Sequence, residues 1–146
     1  MARVDKLPLE AYYVIPARVA AVDLGAVRYL MAQGPDAGRR LGPAIRRLAE
    51  EAGFEAPPLE VQTGSPRRVL ARVPDWLVPG QAPTNGVRLW TWRGVVVQGP
   101  KEAGFAGLQA WAERAGMHPL GVRHVVCLEG PLRRPRRAIL RLPVEP

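Results

Sequence analysis

A carboxylate inside an apolar strand is the first residue here whose placement suggests chemistry. Glu60 stands between Leu59 and Val61 in "PPLEVQTG". A carboxyl facing a dry groove is a candidate general base, or the counter-charge of a bound cation. Alternation also allows a plainer reading, in which Leu59 and Val61 take one face while Glu60 and Gln62 lie on a solvated one. Trp90 and Trp92, in "RLWTWRG", alternate and so project from the same face of their strand. There they would stack on a flat ligand or a cation; under the helices they would simply be core. Tyr29 is a further candidate contact, and Trp76, in "VPDWLVPG" near a loop, is placed to cover one end of a groove. Trp111 falls on a helical stripe and reads as core.

The two histidines, His118 and His124, and the one cysteine, Cys127, lack metal-site spacing, so no metal is expected. His124 reads as a partly buried strand residue, with a ligand contact as the alternative, and Cys127, inside "HVVCL", as a small core residue. No phosphate-cradling glycine loop, Ser-His-Asp set or Cys-x-x-Cys pair is present. The four arginines of "RRPRR", Arg133, Arg134, Arg136 and Arg137, repel one another and mark an exposed loop. That loop is either a solvated turn or a contact for nucleic acid or an acidic protein. The formal net charge of +8 permits such a polyanion partner. Of the 21 basic residues, however, only Lys6 and Lys101 are lysine, which points to an arginine-rich compositional habit, as in a GC-rich or thermophilic genome.

Elements that could position these residues occur in two similar passages. "VRYLMAQGPDAG" begins at Val27 and "RGVVVQGPKEAG" at Arg93. After the first, Leu41, Ile45, Leu48 and Ala52 form a helical stripe, with Asp36 suited to the N-cap and Gly53 to the C-terminal stop. Pro43 sets either the start of the regular helix or a kink. After the second, Phe105, Leu108, Trp111 or Ala112, and Ala115 repeat the stripe, which ends at Gly116. Two Val/Leu/Ile-rich strands follow each helix, closing on "RVP" at Arg72–Pro74 and on "RLP" at Arg141–Pro143. The expected fold is α+β: one domain of two β-α-β-β repeats, about 7–78 and 86–146, joined by a linker at 79–85. A mainly antiparallel sheet would carry two helices on one face and leave a hollow at the seam. "AYYVIPARVAAVDLG" is a further strand or an insertion ahead of the first repeat. At 146 residues, 47% hydrophobic and 23% charged, the chain can build an ordinary core. No apolar run reaches the ~20 residues of a membrane span. The single cysteine and the interrupted N-terminus, which does not read as a signal peptide, suit a cytoplasmic setting.

This tandem plan resembles the GyrI-like ligand-binding domains, which occur alone and as effector domains of transcription regulators. The resemblance rests on "RGVVVQGP" with its helix, on "VRYLMAQGP", on "PPLEV" and on the terminal "RLPV". It implies pseudo-twofold symmetry and a groove for an amphipathic, aromatic or cationic small molecule, with no cofactor. Some members hydrolyse reactive small rings with a buried glutamate among aromatics, usually early in the strand after the second helix. Here that strand, "GVRHVVCL", offers Arg123 or His124 instead, and Glu60 is the glutamate of the first-half strand. The family's tyrosine two positions beyond the glutamate is Gln62. The haem-binding SOUL domains share the plan, and on that analogy His124 would be the haem ligand.

Overall fold

A computed structural model describes residues 4–64, 66–77 and 86–145. The expected linker, 79–85, lies wholly outside them. The elements run β1 (Asp5–Lys6), β2 (Ala20–Gln33), α1 (Ala37–Ala52), β3 (Leu59–Gln62), β4 (Arg68–Arg72), β5 (Val87–Pro100), α2 (Gly104–Arg114), β6 (His118–Pro119), β7 (His124–Glu129) and β8 (Arg137–Glu145). Single 3-10 turns lie at Leu9–Ala11 and Lys101–Ala103. The fold is α+β, with one mainly antiparallel eight-stranded sheet and two helices.

The sheet closes on itself. Strand order is β2-β4-β3-β7-β8-β5, and β5 returns to β2, giving a six-stranded barrel with short β1 and β6 appended. Two long-range antiparallel ladders close the barrel. One pairs the two long strands from Ala32↔Val87 to Ala20↔Gln98. The other pairs Glu60↔Val126 and Gln62↔His124. Beside them, Gln33 opposes Arg68 as Gln98 opposes Arg141. In this register Arg68, not Arg72, stands where Arg141 stands, so "RVP" and "RLP" are not counterparts as the sequence suggested.

Closure divides every strand into an outer and an inner face. Leu30, Ala32, Val69, Ala71 and Val87 point outward into a core beneath α1, with Leu41, Ile45 and Leu48. Val97, Leu140, Leu142 and Val144 meet Leu108 and Ala112 of α2 in a second core. The inner face is lined by Tyr29, Met31, Leu70 and Val96, with Trp90 and Trp92 packed against them. A one-residue slip would exchange these faces, and β2 spans both ends of the barrel. A bulge at Leu24, between Asp23 and Gly25, changes parity, so that Val22 before it, Leu24 itself, and Val27 and Tyr29 after it all turn inward. Gly25 takes φ +66° there, with its N–H on Asp23 Oδ1 at 2.8 Å.

α1 continues unbroken through Pro43, which is exposed. Asp36 precedes the helix without capping it; its carboxylate instead takes Arg40 Nε at 3.2 Å. Gly53 ends the helix at φ +83°, a left-handed C-terminal stop. Leu108, fully buried between α2 and the barrel, fixes the second helix. Leu108→Ala is expected to cost about 2–5 kcal/mol in urea unfolding, since the backbone around it is already paired and cannot collapse into the gap.

Candidate functional site

The barrel interior is polar at its centre. Glu60 and Gln62 share the inward parity of β3, and both are buried, Glu60 completely. Gln62 lies opposite His124 of β7, which is 4% exposed. His124 Nε2 lies 2.5 Å from Glu60 Oε1, and Gln62 Nε2 is 3.4 Å from His124 Nδ1. The tautomer protonated on Nε2 satisfies both contacts: the imidazole donates to the carboxylate and accepts from the amide.

The remaining partners come from a segment that the sequence did not mark. Between β1 and β2 the chain crosses the end of the barrel and sends Tyr12 inside, where it is 3% exposed. The Tyr12 hydroxyl lies 2.8 and 3.1 Å from the two Glu60 oxygens and 2.7 Å from the Tyr29 hydroxyl. Tyr12 donates to the carboxylate, so Tyr29 donates to Tyr12, and the three form a directed chain. Burial, followed by the negative field of Glu60, pushes the hydroxyls of Tyr12 and Tyr29 well above the usual tyrosine range. The same causes in the same order raise Tyr13.

Two guanidinium groups close the cluster over the Tyr12 ring, Arg141 at 4.4 Å and Arg72 at 4.5 Å from its centroid. Arg141 is wholly buried; its Nε donates to Gln98 Oε1 at 3.1 Å and its Nη2 to the Tyr12 carbonyl at 2.6 Å. Its Nη1 is buried with no hydrogen-bond partner among the described residues. Outside the barrel end, Tyr13, Phe54, Pro57, Pro58, Arg72 and Val73 line a pocket of about 370 Å3.

Of the residues singled out from sequence, the structure brings together Glu60, His124, Tyr29, Trp90 and Trp92. The Tyr29 ring lies 6.1 Å from Trp90 and 6.4 Å from His124. Trp92 folds over Gly94, where a Cβ would come within 2.9 Å of its ring. Trp76 stands apart, exposed and edge-on to Phe54 at 6.1 Å. The hollow expected at the seam is filled by Tyr12 and its neighbours, because the 3-10 turn at Leu9–Ala11 carries the chain across the barrel end. Arg136 and Arg137 each approach Glu129 at 3.7 Å, while Arg133 lines a surface pocket with Arg39 and Arg67. Cys127 donates to the Gly130 carbonyl at 3.4 Å, and burial raises its thiol, so nothing activates it as a nucleophile.

Among the described residues, no group of three or more His, Cys, Asp or Glu is placed to hold a metal ion. The site does not fit a haem either. Both ring nitrogens of His124 are engaged inside the barrel, so neither can reach an iron without breaking a contact to Glu60 or Gln62. Among the described residues no helix is long and apolar enough to cross a membrane.

Solved structures share this architecture. A hydrolase from Listeria innocua superposes with a TM-score of 0.77 at 19% identity, over 98% of this chain and all of that one. Another Listeria innocua hydrolase gives 0.74 at 18%, over 94% and 96%. An uncharacterized conserved protein from the same organism gives 0.71 at 20%, over 98% and 100%. A chain of the EcmrR–DNA complex gives 0.56 at 11%, over 88% of this chain but 57% of its own. At such identities the likeness establishes the fold alone. No family model matches the chain, and no curated protein matches it.

Proposed function

We propose that this chain is a small-molecule-binding barrel of the GyrI-like kind, with its ligand anchored by Glu60 and His124 inside the barrel and flanked by Tyr29, Trp90 and Trp92. One observation carries the reading: a carboxylate with no exposed surface, held by a histidine and a tyrosine in the centre of the barrel. Burying a charge costs several kcal/mol before pairing returns any of it, and apolar side chains would fill a barrel this size more cheaply. A polar centre at that cost is what a recognition site requires. Trp90, beside Tyr29, supplies an optical reporter. Planar amphipaths titrated against the protein are expected to change Trp emission, and Glu60→Gln is expected to weaken the best ligand tenfold or more, about 1.4 kcal/mol. Unchanged emission across a broad panel contradicts the reading.

The Glu60–His124 contact also supports an enzymatic version. A carboxylate hydrogen-bonded to an imidazole is a general-base arrangement, able to take a proton from water as it attacks a small electrophile. Two of the similar structures are described as hydrolases. Turnover of strained-ring electrophiles would then be lost in Glu60→Gln while binding survives in part. Turnover that persists in that variant clears Glu60 of the role.

A further inference from the structure

The barrel already holds something shaped like a ligand. Tyr12 is not part of any barrel strand. It is delivered by a short crossing segment whose 3-10 turn buries none of its own residues, and whose Leu9 and Val14 are 66% and 59% exposed. The backbone bonds described for residues 8–14 join the segment to itself: Ala11 to Pro8, Tyr12 to Leu9, Val14 to Ala11. What reaches deepest from this segment into the interior is Tyr12, with Tyr13 edge-on against its ring at 4.8 Å. Its ring lies within cation–π distance of Arg72 and Arg141, its hydroxyl reaches Glu60 and Tyr29, and its carbonyl meets Arg141. The polar partners converge on one phenol from four separate barrel strands: β2, β3, β4 and β8. Ordinary core tyrosines bury an apolar ring and satisfy one hydroxyl. Here two cations, a carboxylate and a hydroxyl surround a single ring, and Arg141 Nη1 is a donor that Tyr12 does not use.

We infer that Tyr12 is a built-in stand-in for the ligand, and that the interior recognises planar aromatic compounds bearing a phenolic hydroxyl, which displace it. This rests on the small-molecule-binding reading above and adds to it a ligand class and a competitor. Binding energy is the difference between what an incoming phenol gains and what Tyr12 gives up, and Tyr12 is tethered, so it competes at a high effective concentration. Weakening the tenant must therefore strengthen the guest.

The experiment measures p-cresol, the Tyr side chain as a free molecule, and toluene, its analogue without the hydroxyl, by Trp emission. The proteins are the wild-type chain, Tyr12→Phe, Tyr12→Ala and Tyr12→Ala/Glu60→Gln. Tyr12→Phe keeps the ring and the fold but loses the bonds to Glu60 and Tyr29. It should bind p-cresol several-fold more tightly than wild type. Tyr12→Ala should bind it at least tenfold more tightly and prefer it to toluene at least tenfold, and the double variant should lose that preference. Unchanged p-cresol affinity in Tyr12→Phe overturns the inference even if Tyr12→Ala does not fold, and so does equal affinity for p-cresol and toluene. If other planar amphipaths bind wild type and their affinity is indifferent to Tyr12, the stand-in idea fails while the binding-barrel reading survives. If nothing binds any variant, both fail.

Discussion

Glu60→Ala is expected to destabilise the protein by about 3–5 kcal/mol, a large share of the stability of a domain this size. The carboxylate is the acceptor for two buried donors, Tyr12 Oη at 2.8 Å and His124 Nε2 at 2.5 Å. Removing it leaves His124 Nε2 without an acceptor, and leaves Tyr12 Oη only the Tyr29 hydroxyl at 2.7 Å, in a space sealed by β3, β7 and the Tyr12 segment. It also leaves the buried Arg141 cation without the nearby negative charge whose field reaches the same tyrosines. An orphaned buried donor costs about 1–3 kcal/mol, and the missing side chain leaves a gap that a closed barrel cannot contract to fill. Glu60→Gln should lose less, because an amide oxygen still accepts from one donor. Urea unfolding of the two variants therefore ranks them, with alanine the weaker. Loss of under about 1 kcal/mol in Glu60→Ala would mean that the donors find other partners and that the cluster is not structurally coupled.

The alternation of β3 could be read from its sequence, because it needs only neighbouring residues, but which of its faces meets the barrel interior could not. Leu59 turns toward the α1 core while Glu60 and Gln62 turn inward. The helices were legible for the same local reason: three- and four-residue spacing put Leu41, Ile45 and Leu48, then Leu108 and Ala112, on buried stripes. Barrel closure was not legible. It depends on the β2–β5 and β3–β7 ladders, which join residues more than 50 positions apart and carry no local pattern. Without closure, the seam looked like an open groove. Arg141 was hidden too. In "RAILRLP" it reads as the solvated side of a strand, and only closure turns that side into an interior. Tyr12 was missed because "AYYVIP" has neither strand nor helix period. Two adjacent aromatics in a proline-bounded, non-periodic stretch were the one available sign that this stretch packs on something. Inverting the rule for surfaces would have found more of the site. Glu60, Gln62, Gln98, His124 and Arg141 are polar residues at regular positions within otherwise apolar strands, and together they are the buried polar set of the described residues.

Alkaline pH should unfold this protein earlier and more steeply than an arginine-rich chain would suggest. All three tyrosines of the sequence, Tyr12, Tyr13 and Tyr29, belong to one cluster, and each hydroxyl is pushed upward by burial and then by Glu60. In the unfolded chain they ionise near the ordinary tyrosine value of about 10. The folded state thus holds protons that the unfolded state releases. The stabilisation is fully present below pH ~10 and is lost progressively as pH rises toward the folded values. Each tyrosine contributes a slope of about 1.4 kcal/mol per pH unit in that window, so three approach about 4 kcal/mol per unit. Arginine, the dominant cation here, does not titrate in this range and adds no slope of its own. Tyrosinate absorbance should therefore stay low while the protein remains folded, then rise for all three residues together in one cooperative step that coincides with loss of the far-ultraviolet signal. Tyr12→Phe removes one of the three protons and should make the limb shallower by about a third, whatever it does to stability at neutral pH. A gradual, non-cooperative rise centred near pH ~10, with secondary structure intact, would place the tyrosines in contact with solvent and remove the sealed barrel end from which the site is built.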